Sequence, residues 1–150
     1  MERKLIHNVK RYGWQVQMVV DPEGDTSTFA YTIGVRETLR HAEIICFGLK
    51  PEVMHAVLNH VGRRIREQGE LLENRDYDEF LESYPVRFKK VHPSHFPDYV
   101  GWAMWFNKYK PFDVLQLFWT DKEGRFPWEV GFNPAWVGIQ PFLFEEKEKS

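Results

Sequence analysis

Apolar and polar residues alternate from Trp14 to Val20, with Trp14, Val16, Met18 and Val20 on one face and Gln15 and Gln17 on the other. A period of two predicts a half-buried strand. Asp21-Pro-Glu-Gly-Asp25 follows, turn chemistry in which proline presets φ and glycine accepts a positive one. The return strand is expected over about Thr28 to Ile33, making a hairpin. Phe29, Tyr31 and Ile33 face one way in it, and Thr28, Ala30 and Thr32 the other. A third strand runs from Glu43 to Phe47 and is bounded by Gly48. From Pro51 to Gln68 the period changes to that of a helix, with Met54, Val57, Leu58, Val61 and Ile65 in one stripe. Pro51 and Glu52 suit its first turn and Gly69 its stop.

Glu70 to Ser83 is acidic and weakly patterned, which predicts a loop with a short helix near Tyr77 to Leu81. Tyr84-Pro85 leads into a strand from Val86 to Val91. Ser94 is placed to cap a second helix from about Phe96 to Tyr109, with Tyr99, Trp102, Ala103, Phe106 and Tyr109 on one face and Trp105 at its edge. Phe112 to Trp119 reads as a further strand, and Asp121 to Gly124 as the turn into Arg125-Phe-Pro-Trp128. Residues 1–12 read as a lead-in of at most one helical turn, and 145–150 as a charged, frayed tail. The expected architecture is one α+β domain over residues 1–150. It is a mainly antiparallel sheet, or a partly open (split) barrel, with two main helices on one side. A doubly wound parallel fold is disfavoured, since the chain has no βαβ rhythm and no Gly-rich phosphate loop.

A chain of 150 residues is long enough to bury a real core. Aromatic residues make up 16% of it, including 12 Phe and 6 Trp, which implies either an aromatic core or an aromatic-lined groove. The net charge of −2 gives no basic field, which argues against a nucleic-acid role. No window approaches the roughly 18 apolar residues of a membrane span, and the N-terminus lacks a signal-like apolar run. The single cysteine, Cys46, allows no intramolecular disulfide. These features together predict a soluble cytoplasmic protein.

Cys46 lies mid-strand between Ile45 and Phe47, where an apolar setting keeps a thiol inert. His55 and His60 are five apart on a helix and cannot share an ion. His92 and His95 could chelate from a loop, but no Cys cluster or HExxH accompanies them, so no metal is assigned. His41 and Glu43 share a strand face beside Arg36 and Glu37. They suit acid–base work, with His41 carrying a proton and Glu43 orienting it, and they equally suit a surface ion-pair cluster. Trp119 and Trp128 flank the turn at Asp121, as an aromatic wall or as cover for the end of the core.

Several of these stretches together resemble the bacterial family known as domain of unknown function 4262. They are Gly13-Trp14, Phe29-Ala-Tyr-Thr-Ile-Gly-Val35, His41-x-Glu43, Gly48, and Gln116-x-x-Trp119-x-Asp121-x-x-Gly124-x-Phe126-Pro127. The chain departs from the pattern at Ala42, where a proline is expected. The resemblance implies a soluble bacterial domain and brings no activity, cofactor or catalytic residue with it. Two functional readings follow from the residues. One is a binding module of accessory or immunity type, compatible with a homodimer, which holds a protein partner or a small-molecule ligand. Its surface would use Tyr31, Trp119 and Trp128, with Thr28, Thr32, Arg36 and Asp121 around them. The other is a small enzyme, either an acid–base catalyst through His41 and Glu43 or a flavin-using oxidoreductase on a split barrel. No cofactor is assigned; flavin enters only by analogy of fold, without a specific flavin signature in the sequence.

Overall fold

A computed structural model of the chain describes residues 1–20 and 28–148. The strands are β1 (Gln15–Val19), β2 (Phe29–Ile33), β3 (Glu43–Phe47), β4 (Asp76–Leu81), β5 (Tyr84–Lys90) and β6 (Val114–Trp119). They form an open sheet in the order β1-β2-β3-β6-β5-β4, antiparallel throughout except for the central pair β3 and β6. The fold is α+β with an open sheet. The turn expected at Asp21 to Asp25 lies outside the described residues, and β1 and β2 pair antiparallel on either side of it.

The helices are α1 (Glu2–Tyr12), α2 (Val35–Leu39), α3 (Pro51–Gln68), α4 (Phe96–Tyr99) and α5 (Gly101–Phe106). The stripe of α3 (Met54, Val57, Leu58, Val61 and Ile65) packs over Ala30, Ile44, Cys46, Leu117 and Trp119. The opposite sheet face buries Tyr31, Ile33, Ile45 and Phe47 beneath α1, α4 and α5. Helices therefore cover both faces, in place of the one face expected. The cause is legible in the central strands: every residue of β2, β3 and β6 is buried, so neither side of them can be left to water.

Three expectations need correction. Residues 2–12 form a full helix on only two buried anchors, Leu5 and Val9, spaced four apart. Gly13, at φ 99°, ends it and donates to the Val9 carbonyl. The segment near Tyr77 is strand β4, not helix. A register shift between Tyr77 and Leu81 places Tyr77 and Phe80 on the same buried side, and that spacing of three imitates a helical stripe. The helix from Phe96 is broken into α4 and α5 at Val100, and it ends at Asn107. Lys108 and Tyr109 then take left-handed backbone, which swings Tyr109 out to 70% exposure. Its lead-in is capped by the His92 imidazole, which accepts the Ser94 N–H at 3.2 Å.

Close packing of α3 on the sheet depends on Gly62. A Cβ there would stand 2.4 Å from the Trp14 ring. Trp14 is held in place by its indole N–H, which donates to Asn59 Oδ1 at 2.9 Å. Among the described residues, no helix is long and apolar enough to cross a membrane.

Candidate functional site

Glu43 opens β3 and is fully buried. Its Oε1 accepts the Thr32 hydroxyl at 2.8 Å and the Val35 N–H at 3.1 Å. Its Oε2 accepts the N–H groups of Gly34 at 3.0 Å and Arg36 at 3.3 Å. Thr32 Oγ1 in turn accepts the Ile44 N–H, so its own proton is committed to Glu43. The carboxylate thus closes the turn between β2 and α2, where Gly34 sits at φ 106°. Burial pushes its pKa up to about 7, and the four donors, Thr32 foremost, pull the other way. Both oxygens are spent on the fold.

His41 is held separately. Its Nδ1 lies 2.9 Å from the Ala42 carbonyl, and its Nε2 accepts the Leu71 N–H at 3.1 Å. With an N–H aimed at Nε2 and a carbonyl facing Nδ1, the Nδ1 position is the one that carries a ring proton. The ring pins the segment that follows α3. No hydrogen bond joins it to Glu43 among the described residues.

Arg36 is half-buried and lines an open cleft of about 500 Å³ with Glu37, Arg40, His41 and Asp113. Its lining carries charges of both signs. Thr28 contributes its carbonyl to the Gly48 N–H at 2.9 Å, and the Thr32 side chain is buried against Glu43.

The three aromatic residues expected to share one surface lie in three places. Trp119 is in the core under α3, with its indole N–H donated to the Phe47 carbonyl at 2.7 Å. Gln140 clamps the Trp119 backbone on both sides. Trp128 stacks on Phe126 at 5.1 Å and meets Phe118 edge-on, with Lys89 Nζ 4.6 Å above its ring. Tyr31 is on the other face of the sheet from Trp119, beneath α5. Asp121, only 2% exposed, accepts the N–H groups of Glu123 and Arg125 on Oδ1 and that of Asn133 on Oδ2. Burial works against its ionisation, but the Arg125, Asn133 and Glu123 donors outweigh it and hold the carboxyl below the usual range.

Tyr31 instead forms part of a groove of about 710 Å³ between β1 and the α4–α5 segment. Phe29, Tyr31, Tyr99, Trp102, Trp105 and Tyr109 line it. Tyr31 is almost wholly buried, and its hydroxyl accepts the Trp102 N–H at 3.3 Å. Burial pushes its pKa up to about 12, with the Trp102 bond opposing and the Glu43 charge assisting. Trp102 and Trp105 meet edge-to-face at 5.8 Å, as do Phe29 and Tyr99 at 5.4 Å. Val20 and Tyr109 stand exposed at the rim. The sequence signal for this groove was the aromatic stripe of residues 99–109 with Trp105 at its edge. Nothing in the spacing joined that stripe to Phe29 and Tyr31, because the two meet only through the sheet.

Residues 8–133 match the model of the family described as Domain of unknown function (DUF4262). The chain belongs to that family. Comparisons with curated proteins and with solved structures gave no match. The six groove aromatics of this DUF4262 chain all fall inside the matched span, whereas Gln140, which clamps Trp119, falls outside it. Glu43, Gly34, Trp119 and Asp121, on which the resemblance in sequence rests, hold turns and strand ends of the DUF4262 fold. Among the described residues, no group of three or more His, Cys, Asp or Glu side chains is placed to hold a metal ion.

Proposed function

We propose that this DUF4262 chain is a binding module whose site is the aromatic groove beside β1. The carrying observation is the combination of Tyr31 at the base, half-buried Trp102 and Trp105 as walls, and an exposed apolar rim at Val20 and Tyr109. Concave aromatic surface with few polar groups is the usual character of a small-ligand site. Trp105 in such a position costs the fold exposed apolar area that a ligand would cover. A catalyst built on His41 and Glu43 has less support, because both side chains are engaged by backbone groups and, for Glu43, by the Thr32 hydroxyl as well. An accessory-type role in the cytoplasm remains the setting we assign to it, on the strength of its size and single buried cysteine.

Ligand-observed NMR with a panel of small aromatic fragments tests this reading. Binding is expected in the wild type and is expected to weaken about tenfold or more in Trp105→Leu, with the urea midpoint little changed. Fragment binding that Trp105→Leu leaves intact would refute it.

A further inference from the structure

Among the described residues, a lysine or arginine lies over six aromatic rings outside the groove. Arg66 lies 4.8 Å over Trp14, and Arg87 lies 4.7 Å over Phe126. Lys89 serves both Trp128 and Phe144, at 4.6 and 4.8 Å, and Arg64 sits 5.6 Å over Tyr77. None of the groove's six rings has a lysine or arginine over it among the described residues, although Trp102 and Trp105 are partly exposed and indole is the best ring partner for a cation.

The charges around the groove point the same way. Among the described residues, its lining contains no lysine, arginine or histidine, and its charged members are Glu2 and Asp98. Asp98 is paired with Lys147 at 2.6 Å, so these two charges offset each other at the rim beside Tyr99. Glu2 has no ion-pair partner among the described residues. A site of electron-rich faces with an unpaired carboxylate at its edge disfavours anions. It also disfavours small, strongly hydrated cations, since aromatic faces cannot replace a tight water shell.

Building on the groove as the binding site, we infer that its ligand is a small organic cation bearing an alkylated ammonium group. Such a group is weakly hydrated, spreads its charge over methyl surfaces and gains from several ring faces at once. The faces of Trp102 and Trp105 supply the cation–π contact, Phe29 and Tyr99 complete the apolar wall, and Glu2 supplies long-range attraction.

The test compares choline with 3,3-dimethylbutan-1-ol, its neutral isostere of the same shape, by tryptophan fluorescence and by NMR of the indole N–H signals of the full chain. Choline is expected to bind about tenfold or more tightly than the alcohol. Trp105→Leu, which keeps apolar bulk and removes the ring face, is expected to erase that preference. Glu2→Gln, at an exposed position, is expected to weaken choline by about two- to fivefold, and less so in high salt. Equal binding of choline and the alcohol overturns the ligand class and leaves the groove reading standing. So does binding of neutral aromatic fragments, sensitive to Trp105→Leu, in a protein that ignores choline. A choline response unaltered in Trp105→Leu also overturns the assignment. Failure of both choline and the fragments overturns the assignment and the groove together.

Discussion

Glu43 makes the pH dependence of stability a test of how this fold is held together. In the folded protein its pKa is pushed up to about 7 by burial, against an ordinary value of 4.5. Between those values the native state keeps a proton that the unfolded chain has released. The resulting stabilisation is fully present below about pH 4.5 and is lost as pH rises through about 7. At 1.36 kcal/mol for each pH unit of separation, the loss between about pH 5 and about pH 8 is roughly 2 to 3 kcal/mol. The comparison that isolates it is Glu43→Gln, which keeps the shape and removes the titration. Its amide nitrogen meets N–H donors where an oxygen accepted them, so the variant is expected to be less stable at every pH. Urea unfolding of both proteins across this range should show the wild-type advantage shrinking by that amount toward high pH. Other titrating groups cancel in the difference. An advantage that stays constant with pH, or grows, would mean that the four donors win over burial and that Glu43 is ionised throughout.

Two further outcomes are expected. Gly62→Ala puts a Cβ against the Trp14 ring, and the indole can move only by giving up Asn59, so urea unfolding should show a net loss of roughly 1 to 2 kcal/mol; an unchanged midpoint would refute the close contact. The Cys46 thiol, buried and pushed up to about 12 by burial, should resist thiol-exchange reagents in the native protein and react fully in denaturing urea; rapid native labelling would show that β3 opens readily.

The sequence was most readable where a single period ruled a segment. The bounds of α3 and β3 follow from an apolar stripe with Pro51 and Gly69 at its ends, and from a short apolar run ended by Gly48. It misled where two effects overlapped. In β4 a register shift disguised a strand as a helix, and in α1 two buried residues were too few to reveal eleven helical ones. The site was hidden for a different reason. Tyr31, Trp119 and Trp128 look like one aromatic surface when read by type, but which face of a sheet a residue meets depends on strand order. Strand order here includes a parallel pairing of β3 and β6 that no local pattern announces. His41 and Glu43 resembled a catalytic pair because the sequence displays their side chains and conceals the backbone groups that occupy them.

That parallel pair has a consequence for how the chain assembles. On one side of it β1, β2 and β3 form an antiparallel meander in sequence order, and on the other side β4, β5 and β6 form a second. Among the described residues the strands of the two meanders pair with each other along β3 and β6, and that pairing closes the whole stretch of chain between Phe47 and Val114. Each half can gather its own neighbours at small loop-closure cost, whereas the seam brings together strands remote in sequence and is rewarded last. α3, emitted directly after β3, packs on β1, β2 and β3 and also touches β4, so it belongs to the first half and offers a docking face to the second. The molecule is in this sense an internal complex between two three-stranded halves, with the β3–β6 seam as its interface.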